Sequence, residues 1–144
     1  MASLVDTNIL VYRCDPSDPA KRDAARALLR KGGAENTLRI PHQAMVEFVN
    51  TVTKQRGGRP SLLPREEAWR QAEDLLNEFP VLYPNESVFR TAMLGMAAYK
   101  FAWYDAHLWA YAEHYGLPEI LSEDFEHERM YGTVRIRNPF VALG

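Results

Sequence analysis

Cysteine is almost missing from this chain: Cys14 stands alone among 144 residues. No internal disulfide can form, and no zinc cluster built on cysteine thiolates is possible. Long hydrophobic runs are missing too. None approaches the roughly 18 apolar residues that cross a bilayer as a helix, so no membrane span is expected. The opening Met-Ala-Ser-Leu-Val-Asp has no basic stretch followed by an apolar one, so no secretory leader is expected and the expected location is cytoplasmic. No glycine-rich loop follows the first apolar segment, which weighs against a nucleotide-phosphate cradle. Net charge is scarce as well, at −2, and neither requires nor excludes a nucleic-acid partner.

Hydrophobic residues make up 47% of the chain, enough for the core of one domain over residues 1–144. The charge is unevenly spread. Residues 1–70 carry 12 Lys/Arg against 8 Asp/Glu, whereas residues 71–144 carry 5 against 11. A basic half suits phosphates and an acidic half suits cations; ordinary surface scatter accounts for the same counts.

Short apolar segments alternate with helical stretches. Leu4-Val5 reads as a strand, followed by Asp6-Thr7-Asn8 and a turn into an apolar helix at Ile9–Tyr12. Asp15–Pro19 is a loop in which Ser17 or Asp18 can cap the next helix. That helix is expected over residues 20–31, stopped by Gly32-Gly33. Leu38–Ile40 is a strand closed by Pro41. Residues 43–54 form a helix, with Ala44, Phe48 and Val52 four apart. Further helices are expected from Pro64 to about Glu78, over 85–99 and over 104–115. Further strands are expected at Val81-Leu82, Ile120-Leu121 and Val134–Ile136. Strands separated by helices predict an α/β fold with a parallel sheet, whose functional crevice lies beyond the carboxyl ends of the strands.

Two acids, Asp6 and Asp124, fall where that crevice should be, and a third, Asp105, lies on the apolar face of a helix. Asp6 follows the first strand, Asp124 follows the Ile120-Leu121 strand, and Asp105 lies in the first turn of a helix on the arc of Leu108, Trp109 and Ala112. An ionised carboxylate on an apolar face is costly without a partner, and clustered carboxylates repel each other until a cation joins them. Magnesium takes oxygen ligands and assists phosphodiester cleavage. Each residue also has a plainer reading. Asp6-Thr7-Asn8 serves equally as a turn and helix cap, Asp105 as a capping acid and Asp124 as a loop acid. By periodicity alone Glu47 is a solvated surface acid.

The same residues carry a resemblance. Leu4–Tyr12, with its strand, Asp-Thr-Asn and apolar helix, closely resembles the opening motif of PIN-domain ribonucleases. Pro41–Phe48 resembles their second motif, a helix bearing an acid. Tyr104–Ala110 resembles the third, and Leu121–Phe125 the fourth. Val134–Phe140 resembles the terminal strand of VapC-type toxins. The likeness implies a three-layer α/β/α fold with a central, mostly parallel sheet. It implies that Asp6, Glu47, Asp105 and Asp124 converge on Mg2+ or Mn2+, with Asp6, Asp105 and Asp124 as ligands and Thr7 or Asn8 positioning. Glu123 leaves the assignment of the fourth acid open between itself and Asp124. Tyr104 stands where many relatives have Trp. The implied reaction is RNA phosphodiester hydrolysis, and the implied partners are a small antitoxin protein and a second copy of the chain.

Arg13, Lys21, Arg22, Arg26, Lys54, Arg56 and Arg59 are the candidates for RNA phosphate contacts, Arg13 the best placed for following the first motif, and at least one of Arg13, Arg56 and Arg59 is expected to bind RNA. The histidines, His42, His107, His114 and His127, are expected in surface or structural roles. Two rivals remain: a catalytically silent PIN-like binding module, and a phosphatase using Asp6 as nucleophile. The second usually wants an acid two residues on, and Asn8 stands there.

Overall fold

The computed structural model describes residues 1–143. Six strands form one sheet in the order β3-β2-β1-β4-β6-β5. They are β1 (Ser3–Val5), β2 (Leu38–Pro41), β3 (Val81–Leu82), β4 (Glu119–Leu121), β5 (Met130–Tyr131) and β6 (Val134–Arg137). Every neighbouring pair is parallel except β5 with β6. The helices are α1 (Thr7–Tyr12), α2 (Pro19–Glu35), α3 (His42–Thr53), α4 (Arg65–Glu78), α5 (Glu86–Tyr99) and α6 (Trp103–His114). This is the expected three-layer α/β/α arrangement around a mostly parallel sheet.

Strand alternation builds the layers, because successive side chains point to opposite faces. Val5 and Leu121 join one buried cluster, with Ile9 and Leu10 of α1, Leu29 of α2, Phe48 of α3 and Leu75 of α4. Leu4 and Ile120, one residue earlier in each strand, join the other cluster, with Val88 and Ala92 of α5, Trp109 of α6 and Ile136 of β6. Helices α1–α4 therefore cover one face, and α5 and α6 the other. Helix α6 buries Leu108 to Ala112 without a break, as a helix wedged between its neighbours and the sheet must.

Helix ends follow the capping rules. The side chain of Asp18 accepts from Lys21 N at the start of α2, with Pro19 in the first turn. That of Asn85 accepts from Val88 N at the start of α5. Gly32-Gly33 does not stop α2, which continues to Glu35 and ends at Asn36 in the left-handed region. The glycine is needed for contact instead: a Cβ at Gly32 would sit 2.2 Å from Leu38 Cδ1. Strand β5, too short for a periodic signal, pairs with β6 across a tight turn at Gly132-Thr133, where Gly132 has φ 62°.

Strand order reverses between β1 and β4. The chain leaves β1 towards β2 on one side and later returns to its other side as β4. In parallel α/β sheets a crevice opens at such a switch point, past the carboxyl ends of the strands. Asp6 and Ser122 are the first residues beyond those ends.

Candidate active site

Asp6 ends β1 and caps α1, its Oδ1 accepting from Thr7 N at 2.6 Å. Only 6% of the residue is exposed. Its Oδ2 accepts from Ser122 Oγ at 2.5 Å and from Asn8 Nδ2 at 3.2 Å. Despite these donors, burial pushes its carboxyl up from the ordinary 3.8 to about 7. Ser122 opposes the shift, and the charge of Asp124 and, more weakly, that of Glu47 add to it.

The other three acids come from separate elements. Asp124 follows β4 and is exposed; its Oδ2 accepts from Asn8 Nδ2 at 3.2 Å, and its backbone N donates to Ser122 Oγ at 3.0 Å. Glu47, in the second turn of α3, accepts from Thr7 Oγ1 at 3.0 Å and from Gln43 Nε2 at 2.9 Å. Asp105, in the first turn of α6, is half-buried, and its carboxyl is raised by burial first and then by the charges of Asp124 and Glu47. The four acids thus form one electrostatic group, and no Lys or Arg forms an ion pair with any of them among the described residues.

Thr7 and Asn8 sit among these acids, Thr7 joining α1 to α3 and Asn8 bridging Asp6 and Asp124. Arg13 lies elsewhere. It is at the far end of α1 and lines a cavity of about 630 Å³ with Arg26, Glu67, Arg70 and Asp74. Arg56 and Arg59 are exposed on either side of Gly57-Gly58, paired to each other through their backbones. Glu123 turns away from the acids. It accepts from Lys21 Nζ at 2.9 Å and from the Tyr12 hydroxyl, and that pairing raises the Lys21 ammonium to about 12.

Two site residues carry no sequence signal of their own. Ser122 is fully buried and joins Asp6 to the Asp124 backbone. Gln43 donates to Glu47 and also to the Tyr104 carbonyl at 3.0 Å, tying α3 to α6. Both are neutral, so neither charge nor periodicity marks them. A signal existed only in their spacing, Ser122 two before Asp124 and Gln43 four before Glu47.

The donor set is wholly oxygen: four carboxylates, with the hydroxyls of Thr7 and Ser122 nearby. Asn8 Oδ1 is buried without a hydrogen-bond partner among the described residues. Such a set fits a hard divalent cation. As the side chains stand, no three Asp, Glu, His or Cys groups among the described residues are close enough to hold one ion.

The fold and the acids gathered at its switch point define an α/β protein with a mostly parallel sheet and an acidic crevice, and comparison with known families places it more narrowly. The PIN domain model matches residues 3–132, and the chain belongs to the PIN domain family. Among solved structures it is similar to VapBC2 from Rickettsia felis bound to a DNA fragment from its promoter, with TM-score 0.72 and 13% identity over 96% of this chain and 98% of that one. It is similar also to DNA-bound VapBC from Salmonella typhimurium, with TM-score 0.71 and 14% identity over 96% and 99%. A third is VapC20 from Mycobacterium tuberculosis, a sarcin-ricin loop cleaving toxin, with TM-score 0.64 and 14% identity over 85% and 90%. No curated protein is a significant match. Among the described residues no helix is long and apolar enough to cross a membrane.

Proposed function

We propose that the protein is a Mg2+- or Mn2+-dependent endoribonuclease acting as the toxin of a toxin–antitoxin pair. The observation that carries this reading is the gathering of Asp6, Glu47, Asp105 and Asp124 from four separate elements, with no Lys or Arg paired to any of them among the described residues. A buried carboxylate beside like charges is unfavourable unless something compensates it, and Asp6, pushed up to about 7 first by burial and then by the charges of Asp124 and Glu47, is the visible sign. Asp6, Asp105 and Asp124 would hold the ion, with Glu47 completing the acidic edge. Bound there, a divalent ion supplies Lewis acidity and lowers the pKa of water.

The chain's own residues do the positioning. Ser122 and the Thr7 amide fix both oxygens of Asp6, and Asn8 couples Asp6 to Asp124. Thr7 Oγ1 and Gln43 hold the two oxygens of Glu47 apart. Arg13, with Arg56 and Arg59, would contact RNA phosphates beyond the acids. A small antitoxin protein would cover the acidic crevice, and the protein would act as a homodimer in the cytoplasm. The similarity to VapBC structures supports the toxin part of this reading at the level of fold.

The test is cleavage of a mixed RNA pool with Mg2+ or Mn2+ by the wild type, Asp6→Asn and Asp105→Asn, alongside calorimetric Mn2+ binding. Metal-dependent cleavage lost in both variants, with weakened Mn2+ binding, supports the nuclease. A second reading, a silent RNA- or protein-binding module, draws on the absence of three convergent ligands among the described residues. RNA binding without cleavage under either metal, and without Mn2+ binding, would favour it.

A further inference from the structure

Beside the acids lies a groove of about 270 Å³ with quite different walls. Trp103, Tyr104, His42, Val46 and Tyr111 line it, and Gln43 and Glu47 form its border with the acidic site. The rings are unequally held. Trp103 is braced edge-on by Phe89 at 5.2 Å and by His107 at 4.7 Å. His42 lies tilted against Tyr83 at 5.2 Å. Tyr104 is 70% exposed, and its ring has neither an aromatic partner nor a hydroxyl hydrogen bond among the described residues. Its backbone, by contrast, is fixed, because Gln43 Nε2 holds its carbonyl at 3.0 Å.

We propose that Tyr104, with Trp103 lining the same groove, is the stacking platform for one unpaired base of a single-stranded RNA whose phosphate lies at the acids. The proposal rests on the nuclease reading and names the residue that would hold a base of its substrate. Three observations carry it. Tyr104 immediately precedes Asp105, and Gln43 and Glu47 belong to both sites, so an occupant of the groove lies next to the scissile region. An immobile backbone carrying an unpartnered ring suits sequence-tolerant base stacking, since every base has a π-face. Glu47 at the groove's edge has no Lys or Arg paired with it among the described residues. An apolar side chain placed there would desolvate that carboxylate, whereas a nucleotide arrives with its own counter-ions. A base stacked on Tyr104 must be out of a duplex, so paired RNA is excluded from this subsite.

The test uses the full chain and a short single-stranded RNA carrying 2-aminopurine at successive positions. Binding and fluorescence are read on Asp6→Asn, which keeps the groove intact, and on the same variant combined with Tyr104→Leu or Tyr104→Phe. Wild-type cleavage of the same RNA is measured in parallel with Mg2+ or Mn2+. The expected result is quenching at a single position, lost in Tyr104→Leu and kept in Tyr104→Phe. In the active protein, Tyr104→Leu should raise KM roughly 5- to 100-fold with kcat little changed, and a duplex of the same sequence should bind no worse to it. Cleavage by the wild type without position-specific quenching overturns the platform and leaves the nuclease intact. Neither binding nor cleavage of RNA overturns both. Dissociation of a dimer by Tyr104→Leu in sedimentation, with unchanged RNA affinity, overturns the platform and assigns the groove to a second copy of the chain.

Discussion

Glu123 and Asp124 are consecutive residues with opposite surroundings. Glu123 turns towards α2, where Lys21 and Tyr12 meet it and Lys21 also lies over the rings of Tyr12 and Phe140. Asp124 turns towards the crevice, where it meets Asn8 and the like charges of Asp6 and Asp105. The first carboxylate is neutralised locally and pins the loop after β4. The second has no ion-pair partner among the described residues. Acidity alone therefore does not mark a site. What marks it is acidity that the fold gathers and leaves without a counter-charge.

The sharpest way to break this contrast is to neutralise each acid in turn. Asp124→Asn should lower RNA cleavage by roughly 100- to 10,000-fold, whereas Glu123→Gln should change it by less than about 5-fold, within the effect expected of a partly exposed ion pair. Initial rates at saturating RNA decide the point, and equal losses in the two variants would dissolve the distinction.

Next in size is the pH dependence of stability. Asp6 ionises near 3.8 in the unfolded chain and about 7 in the folded one. As pH rises from 3.8 to 7 the unfolded state loses its proton first, so this group's contribution to stability falls across that window and is level above it. The shift sets a ceiling of about 4 kcal/mol. Metal-free Asp6→Asn should therefore be more stable than the wild type at pH 8 and show no such gain below pH 4. Urea midpoints at the two pH values test the sign; a variant less stable at pH 8 would refute it.

A cation should relieve the same repulsion. At pH 8, millimolar Mn2+ should raise the wild-type Tm by about 5 °C, corresponding to roughly 2 kcal/mol. The rise should shrink in Asp6→Asn. An equal rise in both proteins would mean that the ion binds elsewhere.

The smallest effect belongs to the paired side. Lys21→Met removes a salt bridge with both side chains partly exposed and should cost about 1 kcal/mol or less, with cleavage retained. A large loss of cleavage would show that the pinned loop controls Asp124.

Much of this was legible in the chain. Leu4-Val5, Ile120-Leu121 and Val134–Ile136 are strands, as their short apolar runs suggest, and the helices other than α2, which runs four residues past its expected end, lie within about two residues of their expected limits. Two local features misled. Gly32-Gly33 reads as a stop, because glycine's loss of freedom in a helix is visible in sequence while Leu38 packed against it is not. Met130-Tyr131 is too short for periodicity to register and is a strand only because β6 lies alongside.

The acids divide the same way. Sequence by itself determined that Asp6 and Asp124 follow strands and that Asp105 opens a helix, because those places depend on local patterns of apolar residues. It could not choose between Glu123 and Asp124, nor reveal that Thr7 donates to Glu47 across 40 positions and that Ser122 donates to Asp6 across 116. Only the tertiary structure decided those matters. Parallel pairing of β1 with β4 brings distant strand ends side by side, and the desolvation and mutual repulsion that set Asp6 apart arise only once they meet.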